Sequence, residues 1–359
     1  MQSSEEMSQV SQRRGAVFGI TAAALFGVST PLLKVLLPGS DPIALVSLLY
    51  LGAAAALWSA GLAPRWRGTA RAEAPLQRSD LPLLFGVIVS GGLIAPLLML
   101  FGLARLSAVA ASLLLNLEAP FTIMIAVLAF REHLARRESI AAGLIVGGAV
   151  ALSGGFEHAG VEVIGALAIA GACLCWAVDN NLTQRLSLRD PVALVRLKAL
   201  GTGAGTLIIA LGLGLQFPSR PAQFAGALLL GSVSYGISIL LDTYALRLIG
   251  AAREAAYFAT APFFGAVTAV FVLGEGVGWF DAAAATLLAI GVGLLAAERH
   301  DHQHVHEGLT HDHLHFHDPH HQHEHAHSES EAHAHAHTHR PLRHAHRHAS
   351  DVHHRHPHQ

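Results

Sequence analysis

The sequence predicts an all-α membrane protein: ten transmembrane helices in two inverted five-helix repeats, followed by a disordered tail. Three observations carry this expectation. The chain is 52% hydrophobic and only 13% charged, with a mean hydropathy of +0.45, whereas a soluble domain holds roughly 25% charged residues. Its apolar residues gather in stretches of the length needed to cross about 30 Å of hydrocarbon. The two halves of the apolar region also share short motifs in the same order.

Residues 1–15 form a polar N-terminal segment with Glu5, Glu6, Arg13 and Arg14. The apolar stretch that follows has no small-residue cleavage pattern, so it reads as the first span and not as a signal peptide. Spans near 16–37, 42–63, 81–104, 108–130 and 139–155 make up a first repeat, 16–155. Spans near 162–183, 191–215, 222–246, 251–273 and 279–297 make up a second, 156–298. The breaks hold the expected punctuation: Pro38-Gly39-Ser40-Asp41-Pro42, the Arg-rich 64–80 loop, Arg131 to Glu138, and Asp190-Pro191. With the N-terminus inside, thirteen lysines and arginines lie in the inner segments, against Lys34, Arg105 and Arg220 in the outer ones. This bias predicts a multi-pass protein of the bacterial inner (plasma) membrane with both termini cytoplasmic.

Asp41-Pro42-Ile43-Ala44-Leu45-Val46 recurs as Asp190-Pro191-Val192-Ala193-Leu194-Val195. Arg105-Leu106 and Ala119-Pro120 recur as Arg247-Leu248 and Ala261-Pro262, and Glu132 recurs as Glu275. Five helices is an odd number, so the second repeat enters the membrane upside down relative to the first. Two inverted halves that exchange conformations open a midplane site to each side in turn, the recurring device of secondary carriers. The segment from Ala119-Pro120 to Glu132 with its Gly-rich following helix, repeated from Ala261-Pro262 to Glu275, resembles the EamA-type drug/metabolite transporters. Trp176 resembles the tryptophan that family often carries in the first helix of a half, where the first repeat has Phe26. The resemblance covers residues 15–298 and implies a gradient-linked carrier, often an exporter, of amino acids, drugs or other metabolites.

An ionisable side chain near the bilayer centre costs about 2.5–3.5 kcal/mol on insertion scales, so each one invites a functional reading. Glu118 lies mid-span beside Asn116 and Pro120. The proline removes a backbone donor and loosens the helix towards a cavity. Asp179 and Asn180 late in the sixth span, Arg196 and Lys198 early in the seventh, and Asp242 late in the eighth fall at similar depth. Opposite charges there can pair with one another, and Arg196 can hold a substrate carboxylate. Structural pairing is the alternative role for these groups. Tyr257 is a path-lining candidate and Pro262 a flex point, each with an interfacial or simple kink alternative.

The tail, 299–359, holds 24 of the 26 histidines. Its alternating His, Asp, Glu and Pro cannot bury an apolar face, so disorder is expected. The ligand candidates are His302, His304, His306, His311, His313, His315, His317, His320, His321, His323, His325, His327, His333, His335, His337 and His339. Neutral imidazoles at HxH spacing suit Ni, Zn, Co or Cu with little selectivity.

Three functional classes follow from the sequence. The first is an exporter of a small organic solute with a metal-binding cytoplasmic tail. The second is a divalent-metal (Ni/Co/Zn) efflux carrier, and the third a non-transporting membrane metal sensor. Nothing points to an enzyme, since no phosphate loop, HExxH helix or nucleophile pair occurs, and no cofactor is required. The expected partners are the lipid bilayer, the solute, metal ions at the tail and a possible second copy in a homodimer. A formal net charge of −2 without a basic stripe gives no reason to expect nucleic acid.

Overall fold

The computed structural model describes residues 2–66, 74–130, 136–155, 159–186, 189–249, 251–296, 300–306, 310–315, 333–338 and 342–348. Ten helical rods follow one another. α1 is Gln2–Gly27 continued by Ser29–Leu36, and α2 is Pro42–Trp66. α3 joins Leu81–Val87, a π-helical stretch Ile88–Ile94 and Ala95–Leu103. α4 joins Ala108–Leu114, a 3-10 turn Leu115–Leu117 and Glu118–Phe130. α5 is Arg136–Ser153, α6 Ala159–Leu186 and α7 Pro191–Gly212. α8 joins Pro221–Leu230, a second π-helical stretch Gly231–Ile237 and Ser238–Ile249. α9 is Ala251–Phe258 followed by Ala261–Leu273, and α10 is Trp279–Ala296. Among the described residues, eight rods are long and apolar enough to cross a membrane. α5 and the shorter apolar α10 pack along each other as the remaining two.

Contacts between the halves come in matched pairs. α1 packs on α8 and α9 as α6 packs on α3 and α4, and α2 packs on α8 as α7 packs on α3. α2 meets α7, α4 meets α9 and α5 meets α10, each rod against its own counterpart. This exchange pattern is what two inverted repeats around a central axis produce. The irregularities are paired as well. The π stretches in α3 and α8 are each seven residues long and stand 143 positions apart. The 3-10 turn in α4 ends shortly before Pro120, and the break in α9 at Ala259 and Thr260 ends shortly before Pro262. A proline removes one helical hydrogen bond and crowds the carbonyl four residues earlier, so each break sits where its proline requires it.

Without a hydrophobic drive between helices in lipid, small residues and interhelical hydrogen bonds hold the rods together. α2 and α8 touch backbone to backbone at glycine: a Cβ added to Gly231 would lie 1.9 Å from the Leu49 carbonyl oxygen. On the same helix the Ser234 and Ser238 hydroxyls donate to the Leu25 and Ala22 carbonyls of α1 at 2.7 and 2.8 Å. Asp190 accepts from the Val192 and Ala193 amides at the start of α7, with Pro191 in the first turn. Outward-facing Leu128, Ile208, Phe271 and Trp279 are largely exposed, the apolar coat that a lipid-facing surface needs.

In the tail, His300–His306 (β1) pairs antiparallel with Leu342–His348 (β4), and Thr310–His315 (β2) with His333–Thr338 (β3). Two-stranded ribbons are marginal in water on their own.

Candidate functional site

A partly open cavity lies between the two repeats. The first repeat contributes Phe26, Tyr50, Asn116, Glu118 and Thr122 to its wall. The second contributes Trp176, Asp179, Asn180, Lys198, Tyr235, Asp242, Glu254 and Phe258.

The π stretch of α3 shapes one wall. Its wider turn frees the Gly91 carbonyl, which accepts from the Tyr50 hydroxyl and from Trp176 Nε1, each at 3.2 Å. Only glycine fits there, because a Cβ at Gly91 would lie 2.2 Å from Asp179 Oδ2. Phe26 is the hub of the aromatic lining, with ring centroids 5.8 Å from Trp176, 5.7 Å from Tyr235 and 5.5 Å from Phe258. Such spacings suit edge-to-face and tilted packing.

Below the rings sit the charges. Lys198 donates to Asp179 Oδ2 in an ion pair whose side chains are only 7% and 5% exposed. Asn180 Nδ2 donates to Glu118 Oε1 at 2.5 Å, tying α6 to α4 just beyond the 3-10 turn. The Asp242 and Glu254 carboxyls face each other from the end of α8 and the start of α9.

Of the residues singled out from sequence, Asn116, Glu118, Asp179, Asn180, Lys198, Asp242 and Pro262 line this one cavity. Pro120 stands beside it, one turn beyond Asn116, and Tyr257 faces α1 at Gly19. Arg196 lies over the exposed Trp58 ring at 4.9 Å, on the side of α7 away from Asp179. Glu254, Tyr50 and the two π stretches are absent from the sequence reading. Glu254 follows Arg253 at a span edge and looks like a loop charge, whereas the shared spacing of 143 could have flagged the π stretches. Among the described residues, no three His, Cys, Asp or Glu side chains converge to hold a metal ion. The ligand candidates His317, His320, His321, His323, His325, His327 and His339 lie outside the described residues, and for the other nine only the strand backbone is described.

The model of the EamA-like transporter family matches the chain twice, at residues 13–154 and 163–297. The chain belongs to the EamA-like transporter family. A relative from Methanothermobacter thermautotrophicus, described as an uncharacterized transporter, is 32% identical over 283 residues, covering 76% of this chain and 82% of its own length. A solved crystal structure that is 20% identical shares the fold, with a TM-score of 0.58 over 78% of this chain and 95% of that one. The protein is thus a multi-pass membrane transporter of the drug/metabolite type, and the cavity lies where the two EamA-like repeats meet.

One end of this EamA-type bundle is laced together by polar contacts between its turns. Glu275, in the turn between α9 and α10, accepts from the Ala108 and Val109 amides at the start of α4, both at 2.9 Å. It also pairs with Lys34 at 3.0 Å, and Lys34 donates to the Leu106 carbonyl at 2.6 Å. At the same end, Asp41 and Gln216 join the α1–α2 and α7–α8 turns through hydrogen bonds of 2.9 and 2.7 Å. Burial alone would push the Glu275 carboxyl up, but the Ala108 and Val109 amides and the Lys34 ammonium hold it below its ordinary value. A folded value below the unfolded one, about 4.3 for Glu, means that the clasp contributes fully above that pH. Its contribution is lost as pH falls through the folded value. Glu275→Gln should therefore melt below wild type at neutral pH, and the gap should close in acid. A gap that stays constant down to about pH 3 would refute this linkage.

Proposed function

We propose that this EamA-family member is a secondary carrier that exports a small organic solute by alternating access, and that its histidine tail binds transition-metal ions. The observation that supports the carrier reading best is the placement of Glu118, Asp179, Lys198, Asp242 and Glu254 around one cavity between the repeats. Charged groups inside a span are costly, and in carriers they mark the solute or proton path. Glu118 is proposed as the coupling carboxyl: it stands mid-span next to the α4 break and accepts a hydrogen bond from Asn180 of the opposite repeat. The lack of a converging His, Cys, Asp and Glu set among the described residues favours an organic solute over a metal ion as cargo.

The test compares cells carrying the full chain, Glu118→Gln or a deletion of 300–359. Medium metabolites and cellular nickel, cobalt and zinc are measured by mass spectrometry. The expected result is an organic solute that accumulates outside with the full chain and with the tail deletion, and not with Glu118→Gln. Purified full-length protein should bind nickel in calorimetry, and the tail deletion should not. Cellular metal that falls in a Glu118-dependent way, with no organic solute exported, would replace this reading with metal efflux.

A further inference from the structure

We infer that the cavity selects a protonated primary or secondary amine that carries no carboxylate; this rests on the carrier reading and narrows its solute. The hydrogen-bonding groups of the wall divide unequally. The nitrogen donors of the wall are each engaged: Lys198 with Asp179, Asn180 with Glu118, Asn116 Nδ2 with the Leu113 carbonyl, and Trp176 with the Gly91 carbonyl. Three buried polar atoms of the wall have no partner: the Tyr235 hydroxyl, which can accept as well as donate, and two carbonyl or carboxyl oxygens. Asn116 Oδ1 and Glu254 Oε1 are buried and unpaired, on side chains of residues only 2% and 6% exposed, and both residues line the cavity. The Asn116 amide is oriented by its own donation to Leu113, which leaves the oxygen for the cavity.

A buried acceptor left unmade costs about 1–3 kcal/mol, so the occupant that fits brings N–H groups. Charge points the same way. Four carboxyl groups face one ammonium, and that ammonium is held by Asp179. Arg196, the other candidate for holding a substrate carboxylate, is turned to Trp58. An amino acid would bring its amine to a matching wall and its carboxylate among four carboxyl groups, with the Tyr235 hydroxyl as the buried donor left to it. The Phe26 and Phe258 rings, 5.5 Å apart, offer an apolar and cation-attracting surface for the amine's body. A quaternary ammonium would satisfy the charge and leave both acceptors unpaired.

The test uses purified full-length protein in detergent and in proteoliposomes. The probes are phenylethylamine, tyramine and a linear diamine, the trimethylammonium counterpart of phenylethylamine, phenylacetate, and phenylalanine. The amines should bind in calorimetry at least about tenfold more tightly than the trimethylammonium or the amino acid, which is the effect of roughly 1.4 kcal/mol from one lost hydrogen bond. Phenylacetate should not bind. Asn116→Ala and Glu254→Leu should erase the preference for N–H over the trimethyl form. Amine binding without counterflow uptake would overturn the carrier reading and leave the site assignment standing. Uptake of phenylacetate or phenylalanine with no amine binding would overturn the inference while the carrier reading survives. Equal binding of all six probes would overturn it as well.

Discussion

Lys198→Met is expected to abolish transport and to destabilise the protein by about 3–5 kcal/mol, the range measured when one partner of a buried ion pair is removed. Asp179 would be left nearly enclosed, with only a 3.4 Å hydrogen bond from Thr183 to hold it. The compensating experiment is the double variant Asp179→Leu with Lys198→Met. Replacing both charges by apolar groups of similar volume is often neutral or stabilising, so its melting temperature should return near that of wild type. Transport should not return, because Asp179 and Lys198 both line the cavity. If the double variant recovered stability and transport together, the pair would be structural only. Thermal melts and proteoliposome flux on the same preparations separate the two roles.

The choice of Lys198 over Arg196 shows where the sequence stops being informative. The two side chains are two positions apart on α7, about 200° around the helix, so only one can face Asp179. Depth alone admits either, and the choice depends on how α7 rotates against α6. That rotation is set by close contacts of α7 with α3, such as Gly92 against Thr202, where a Cβ would stand 2.1 Å from the hydroxyl. The ten spans and their pairing were legible because Pro, Gly and Asp punctuate them and because the Asp-Pro and Ala-Pro motifs recur in order. Glu118, Asp179 and Asp242 were each legible as candidates because an ionisable residue inside a span stands out against apolar neighbours. The π stretches were not, since hydrophobic periodicity carries no mark of one extra residue in a turn. Their effect, the freed Gly91 carbonyl bound by Tyr50 and Trp176, depends on three separate helices.

Gly231→Ala should be the most damaging change among those that leave every charged group in place. Its Cβ would lie 1.9 Å from the Leu49 oxygen and 2.5 Å from both the carbonyl carbon and Cα of Leu49. Overpacking costs typically 1–3 kcal/mol when side chains can yield, but here the obstacle is the backbone of α2. α2 and α8 must move apart as rods, which would also strain the Ser232 hydroxyl's 2.9 Å bond to the Gly52 carbonyl. The expected result is a loss of melting temperature at or above the upper end of that range, with little monodisperse protein recovered in detergent. Gly143→Ala is the matched control: nothing lies within 4 Å of its Cβ position, and alanine favours helix over glycine by about 1 kcal/mol. It should be neutral or slightly stabilising. Gly231 also opens the π stretch of α8 that carries Tyr235 into the aromatic lining. A Gly231→Ala protein that folds and melts normally would mean that the halves do not meet at this contact, and that the cavity between α2 and α8 is shaped differently. One that is destabilised and loses flux would tie the packing of the repeats directly to the site they enclose.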